Sequence, residues 1–440
     1  MEQSKSGGLA ALGGGAALNF AGFGVFTLCQ FLALSLLGRL TGPDGVGLYG
    51  LALGIATPVF LFTNMSLRPA FATDLTGQWP FASYKLIRVG SAVAGILASV
   101  AVAVFVRPDL GFVCLVGVMA LAKAGEALSD LSYGVFQALE KVGLIGLSLG
   151  LRGAAGLALL AAGALVAAYG VEAPMRGVLL GAATGILAGW WAVFLFNDRG
   201  RAGAHLRGDL AKLRPGLLDP PRDTGRLFWA VLPLGLAIFL TSLQMMGPRF
   251  VVEDMFSLRA LGFFTAVMAL TSLGVQAVNM MGQVLVPRMA AGLREGRRLH
   301  VLALLAALMG FGAAGGLVYI GLGQMVGAPV LALLFGPEFA QGEHLFAVLA
   351  LGGALRFVSE ALRVGLVAAR RFKTRLVVEM LAIAALIGAF GYWLHGFDAI
   401  EAAYAVLLAE IVAILILIPV VGWVIFGATL ETTRSGVLGD

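Results

Sequence analysis

The sequence predicts an all-α, polytopic membrane protein, with about twelve transmembrane helices in two pseudo-symmetric six-helix lobes around a central cavity. Three observations carry that reading. The 440 residues are 60% hydrophobic and only 12% charged, at a mean hydropathy of +0.95. A soluble domain carries roughly 25% charged residues to cover its wet surface. Apolar runs recur from end to end, each near the roughly 20 residues that a helix needs to cross the hydrocarbon core. Lys and Arg gather in alternate connections between the runs, the pattern of cytoplasmic loops. Lipid offers no hydrogen bonds, so spanning backbone must pair internally, in helices or closed barrels. The runs are continuous and lack the two-residue alternation of barrel strands, so the spans are helices.

In chain order, spans are read at about 16–38, 48–70, 87–106, 110–137, 144–169, 174–196, 227–248, 261–284, 300–322, 343–368, 376–394 and 400–426. With the N-terminus inside, the inner connections hold Lys85 and Arg88, then Lys141, then a basic run from Arg199 to Arg226. Further inner clusters are Arg288, Arg294, Arg297 and Arg298, and Arg370, Arg371, Lys373 and Arg375. The outer connections hold only Arg39, Arg107, Arg176, Arg249 and Arg259. Both termini are therefore expected in the cytoplasm. This asymmetry accounts for the net charge of +6, which therefore argues little for nucleic acid; the expected surroundings are membrane lipids. Lys5 precedes a first span read as an uncleaved signal.

The longest connection, 197–226, divides the chain into an N-lobe (1–196, spans one to six) and a C-lobe (227–440, spans seven to twelve). It is basic and read as a cytoplasmic linker. Around Leu206, Leu210 and Leu213 it is either a short amphipathic helix on the membrane surface or simply solvated. The halves echo each other. Gly47-Leu48-Tyr49 opens span two and Gly262-Phe263-Phe264 opens span eight. Gly134-Val135-Phe136-Gln137-Ala138 ends span four and Gly365-Leu366-Val367-Ala368-Ala369 ends span ten. The offset grows between the two matches because the outer connection after span nine, 323–342, is longer than that after span three. Each half has an even number of spans, so the repeats are parallel, about an axis along the membrane normal.

Ionisable groups inside spans are costly and face a bundle interior or a watery cavity. Span four carries Lys123, Glu126 and Asp130 at i, i+3 and i+7, continued by Tyr133 and Gln137 on the same stripe. Span ten carries Arg356, Glu360 and Arg363 at i, i+4 and i+7. Either these charges pair and hold the bundle, or the two stripes on equivalent spans line a hydrophilic cavity. Arg68, Arg152 and Arg249 lie near span ends, where interfacial snorkelling competes with a cavity role. Arginine offers phosphate a planar, permanently charged fork. A desolvated carboxylate takes up protons readily. Glu126, Asp130, Glu360, Glu379 and Glu410 are the candidates for ion coupling, to H+ or Na+.

Other chemistries find no support. The Gly45–Gly50 segment matches G-x-G-x-x-G, but it follows an apolar helix instead of a strand, in a chain with 62 glycines. The nearest acid at a suitable distance, Asp74, lies beyond a span. Those glycines and Pro43 are expected to reverse the chain at the outer surface. No P-loop is present. Cys29 and Cys114 lie within spans, and His205, His300, His344 and His395 are scattered, so neither a metal site nor a catalytic constellation is expected and the chain is read as a non-enzyme.

The stretch 36–55, LLGRLTGPDGVGLYGLALGI, resembles the first-loop signature of Wzx-like polysaccharide and O-antigen flippases. These belong to the multidrug/oligosaccharidyl-lipid/polysaccharide (MOP, MATE-like) exporter superfamily. The stretch 331–375, LALLFGPEFAQGEHLFAVLALGGALRFVSEALRVGLVAARRFKTR, resembles that family's LLFG-x-x-[FY] outer segment and the span after it. The resemblance implies alternating access between two lobes in the bacterial inner membrane, without a bound cofactor. Its implied cargo is a polyprenyl-diphosphate-linked oligosaccharide for cell-surface polysaccharide, handled alongside glycosyltransferases and a polysaccharide polymerase. By position it gives Arg68, Lys123, Arg356 and Arg363 the role of cavity cations. The chain departs from many relatives in reading Gly247-Pro248-Arg249 where they carry an aspartate-arginine pair. A cation-coupled multidrug exporter of the same superfamily is the alternative; it would need an acid in the first spans, and span one has no charge before Arg39. A lipid II flippase is a further reading. An intramembrane polymerase or ligase is disfavoured, because the longest connection is predicted to be cytoplasmic.

Overall fold

The structure, a computed structural model, describes residues 2–74, 78–170, 173–369, 371–393 and 400–427. Arg370 and His395 lie outside them. Every regular element among the described residues is helical. Two compact units divide the chain, Met1–Ser242 and Leu243–Asp440.

Helix α1 (Glu2–Thr63) contains the first two expected spans. A straight helix of 62 residues would measure roughly 90 Å, about three times the hydrocarbon thickness. The helix breaks at Gly42, with φ 66° and ψ −171°, a conformation glycine adopts at little cost. Pro43, with its fixed φ, opens the next turn. The expected reversal over Gly45–Gly50 is thus a break at one glycine, and Gly45 to Gly50 are helical. A second break follows at Met65 and Ser66, both with positive φ, before the short α2 (Leu67–Thr73).

Four spanning helices follow: α3 (Phe81–Val106), α4 (Leu110–Ala138), α5 (Val142–Leu165) and α6 (Met175–Val193). Helix α6 does not end at a linker. It runs through a π-turn (Phe194–Asp198) into α7 (Arg199–His205), a second π-turn (Leu206–Leu210) and α8 (Ala211–Leu213). Ala202, Leu206, Leu210 and Leu217 are buried in one core with Phe71, Tyr84 and Phe136. The segment therefore belongs to the first unit. Leu206 and Leu210 face protein and Leu213 is exposed.

Helix α9 (Thr224–Met255) carries no charge between Arg226 and Arg249, and the boundary between the two units falls within it. The second unit continues with α10 (Leu258–Arg294) and α11 (Arg298–Met325). The expected outer loop at 323–342 is ordered as α12 (Gly327–Phe335) and a 3-10 turn (Pro337–Gly342). Arg259 holds that turn, 3.4 Å from Glu338 and 3.3 Å from Gln341. Helices α13 (Glu343–Ala368), α14 (Phe372–Trp393) and α15 (Ile400–Gly427) complete the unit. Ten segments of described residues are long and apolar enough to cross a membrane. The break in the first of them and α9 raise the crossings to twelve.

The repeat-equivalent helices hold equivalent places. Helix α4 packs against α1, α2, α3, α5 and α6, and α13 packs against α10, α11, α12, α14 and α15. Small residues let backbones approach where lipid supplies no hydrophobic drive between helices. Gly22 on α1 and Gly146 on α5 meet so closely that a Cβ on either would collide with the other helix's backbone. Gly163 and Gly181 make the same contact between α5 and α6. Gly150 has more room, its nearest neighbour being Gly22 Cα at 3.7 Å. Gly146→Val should therefore lower the thermal midpoint of the purified protein sharply, by overpacking costs above ~1–3 kcal/mol, while Gly150→Ala should leave it nearly unchanged.

Candidate functional site: two buried charge networks

The second unit assembles its network on α13. Arg356, Glu360 and Arg363 share a helix face, with Ser359 between them. Helix α14 contributes Arg375 and Glu379, and α15 contributes Glu410. Arg356 Nη1 donates to Glu410 Oε1 at 2.7 Å, and its Nε lies 3.9 Å from Glu360. Arg363 Nε donates to Glu379 Oε1 at 2.9 Å, and its Nη1 lies 3.7 Å from Glu360. Arg375 Nε approaches Glu379 at 3.9 Å. Ser359 Oγ joins the two halves: it accepts from Arg363 Nη1 at 2.6 Å and donates to Glu410 Oε2 at 2.9 Å. Three arginines thus face three glutamates, and the cluster is neutral when all are ionised.

Burial separates its two ends. The Arg363 and Glu379 side chains are each 1% exposed. Their atoms Arg363 Nη2 and Glu379 Oε2 are buried without a partner among the described residues, so this end is tightly enclosed yet incompletely satisfied. Arg356 and Glu410 instead line a cavity of about 50 Å³, together with Met245, Met268 and Ser272. A water needs roughly 10–15 Å³ of such space. The cavity suits a few waters or a small ion and is far too small for a sugar.

The first unit assembles its network on α4. Asp130 is flanked by two arginines, Arg88 Nη2 at 3.2 Å and Arg68 Nη1 at 3.6 Å. Arg88, fully buried on α3, also donates from Nη1 to Asn64 Oδ1. Arg68 donates from Nε to Gln137 Oε1 at 3.0 Å and lies over the Tyr133 ring. Arg152 also lies over the Tyr133 ring, 5.5 Å from its centroid, and 3.5 Å from Asp198, which Asn197 bonds as well. The Tyr133 hydroxyl bonds Ser148 Oγ at 2.8 Å. One turn toward the α4 N-terminus, Lys123 pairs with Glu126 at 2.8 Å and lies over Trp190. Arg68, Lys123, Glu126 and Asp130 keep 18–32% of their side chains exposed. Charge left open in mid-span faces water or a polar ligand, because hydrocarbon would cost several kcal/mol.

Every candidate site residue named from the sequence thus lies in one of two networks. Arg68, Lys123, Glu126 and Asp130 come together in the first unit, and Arg356, Glu360, Arg363, Glu379 and Glu410 in the second. Several partners were not foreseen. Arg88 reads as a loop cation and is instead buried in the second turn of α3. Arg152 reads as a snorkelling anchor and is instead 1% exposed beside the fully buried Asp198. Arg249 is also buried. Ser359 carries no signal as a lone hydroxyl within an apolar helix; only its position between Arg356 and Arg363 on the polar stripe marks it.

No family model matches the chain. The capsular polysaccharide biosynthesis protein CapF of Staphylococcus aureus is 23% identical over 394 residues, which cover 88% of this chain and 93% of CapF. Among solved structures, the lipid II flippase MurJ in an inward closed conformation superposes with a TM-score of 0.70 at 13% identity, covering 90% of this chain and 86% of MurJ. A multidrug-resistance MATE transporter of the MOP superfamily, facing outward, gives 0.66 at 16% identity, covering 96% of each chain. A MOP superfamily transporter from Pyrococcus furiosus gives 0.64 at 14% identity over 94% of this chain and 96% of that one. The fold is that of the MOP superfamily transporters, and the chain is a multi-pass membrane protein.

Removing one partner of a buried pair strands the other charge. Arg363→Ala should destabilise the protein by about 3–5 kcal/mol, read as a fall in the detergent thermal midpoint, and Arg363→Met with Glu379→Leu should recover much of the loss. The more exposed Lys123→Ala should cost about 1 kcal/mol or less.

Proposed function

We propose that this protein is a flippase that moves a polyprenyl-diphosphate-linked oligosaccharide from the inner to the outer leaflet by alternating access, for cell-surface polysaccharide synthesis. The observation that carries the reading is the conjunction of a MOP transporter fold with near full-length similarity to a capsular polysaccharide biosynthesis protein. The reading places the chain in the bacterial cytoplasmic membrane with both termini inside, beside glycosyltransferases and a polysaccharide polymerase. It assigns the chain transport and no covalent chemistry.

The charge geometry suggests how an anionic headgroup is held and let go. Arg68 and Lys123 are the partly exposed cations of the first unit, and each already has a carboxylate partner. A diphosphate would take its place on these cations by competing with Asp130 and Glu126, so binding energy is offset by broken ion pairs and release stays easy. In the second unit, Arg356 is held by Glu410 at the small cavity. A proton or Na+ on Glu410 would loosen Arg356, which makes Glu410 the first candidate for coupling, with Glu360 and Glu379 behind it. Arg363, sealed between Glu379 and Glu360, is assigned to the architecture and not to cargo.

Similarity to MurJ supports lipid II as a second substrate to test, and similarity to MATE transporters supports a cationic drug as a third. The protein is reconstituted in vesicles with a fluorescent undecaprenyl-diphosphate oligosaccharide, with lipid II, or with a cationic dye. Protection from an external reagent reads leaflet exchange of the lipids, and dye accumulation reads drug export. Exchange of the oligosaccharide carrier well above empty vesicles is expected; activity on the dye alone would replace this reading with drug export. Arg356→Gln should lower exchange at least tenfold with membrane insertion intact. Glu410→Gln should flatten the dependence of exchange on an imposed H+ or Na+ gradient, identifying the coupling ion by which gradient loses its effect.

A further inference from the structure

The segment that follows α6 is anchored to protein along its whole length. Leu206, Leu210 and Leu217 are buried in the core shared with Phe71 and Phe136. Lys141 and His205 both hold Asp209, at 2.9 and 3.0 Å. Arg214, buried, donates to the carbonyls of Phe71 and Ala72 at the C-terminal end of α2. Phe81 N bonds the Leu217 carbonyl, and Ser83 bonds both N and O of Arg222 at the start of α3. The strap therefore lies across the ends of α2, α3, α4 and α5 and cannot roll.

This anchoring fixes what is turned outward. Arg199, Arg201, Arg207 and Lys212 are all exposed and make no ion pair among the described residues. The acids of the segment are otherwise engaged: Asp198 with Arg152, Asp209 with Lys141, Asp219 with Arg222 and Asp223 with Arg226. Phe196 and Leu213 are exposed on the same stretch, and Trp229, exposed near the start of α9, is an aromatic of the kind that sits at headgroup depth. The strap is bonded to the first residue of α3, the last turn of α2 and the residue before α5, so it lies at the ends of the spanning helices, the level of the lipid headgroups.

We propose that the outward face of Arg199–Lys212 is a binding site for acidic phospholipid headgroups, with Phe196, Leu213 and Trp229 seated in the interface beside them. Charge complementarity selects the occupant: four exposed cations on an anchored backbone, with no ion pair among the described residues, match a surface where acidic headgroups supply the phosphates. The buried leucines mean that lipid binding need not order the segment, so its attraction is not offset by folding entropy.

The test uses the full-length protein in neutral detergent, titrated with phosphatidylglycerol or phosphatidylcholine, with bound lipids counted by native mass spectrometry. A juxtamembrane cation is worth about fivefold in affinity. Preference for phosphatidylglycerol should exceed about tenfold and fall as salt rises. The combined variant Arg199→Gln, Arg201→Gln, Arg207→Gln and Lys212→Gln should bind the two lipids within about twofold of each other. Its thermal midpoint in phosphatidylcholine should match the parent, since all four side chains are exposed. A control, Arg288→Gln with Arg294→Gln, removes exposed cations from the C-terminal end of α10 and should keep the preference. Absence of preference in the parent, its survival in the fourfold variant, or an equal loss in the control would each overturn the assignment, the last in favour of net charge alone.

Discussion

An ionised side chain in hydrocarbon must find its counter-charge inside the protein, and that requirement organises both units. Each unpaired charge near mid-bilayer costs at least about 2.5–3.5 kcal/mol, comparable to a large share of a protein's net stability. Pairing it determines which helices touch. Glu379 and Glu410 bring α14 and α15 to α13, just as Arg88 and Arg68 bring α3 and α2 to α4. The helix with the polar stripe must then sit at the centre of its unit, and both α4 and α13 do. Arginine suits this work because one guanidinium serves several acceptors in a fixed plane. Arg88 reaches Asn64 and Asp130 together, and Arg363 reaches Glu379, Glu360 and Ser359.

The two networks do different things with the same principle. In the second unit, Arg356, Arg363 and the three glutamates are at most 11% exposed, and Arg375 alone of that cluster, at 33%, reaches outward. In the first, Arg68, Asp130, Lys123 and Glu126 remain partly exposed. A sealed neutral cluster gives register and rigidity, because breaking it strands a charge. A half-open one can exchange its partners for those of a ligand. The repeat-equivalent stripes therefore share a position on their helices and differ in access.

The fold was legible because the solvent is lipid: run length, loop charge and the demand for internal hydrogen bonds leave few alternatives. The polar stripes were legible for the same reason, since Lys123, Glu126 and Asp130, or Arg356, Glu360 and Arg363, stand out in apolar helices at helical spacing. What stayed hidden were partners far apart in the chain. Nothing local to Arg152 points to Asp198, 46 residues away. Counting Arg88 among loop cations treats it as part of an orientation signal, and its burial depends on Asp130, 42 residues later. The glycine-rich turn was located correctly but its hinge was misplaced. A φ of 66° at Gly42 is enough to break α1, and Pro43 then starts the next helix, so the G-x-G-x-x-G segment is left as ordinary helix.

Linker composition misleads in an instructive way. Basic residues, prolines and short side chains over 197–226 read as a solvated connection or a surface helix, yet most of that stretch is helical and Leu206, Leu210 and Leu217 are core. The leucine spacing reads as a membrane-surface helix or a solvated linker; the structure shows a third outcome, burial against protein, which the spacing does not distinguish from burial in lipid because both surfaces are apolar. Arg214 decides it: a guanidinium that caps two α2 carbonyls must be buried against the protein, and it takes Leu210 and Leu217 with it. Once the apolar face is committed to the protein, the remaining cations have only the outward direction left. A basic segment docked in this way carries its charges on a fixed backbone, whereas an unanchored basic loop must lose backbone entropy before it can hold an acidic surface.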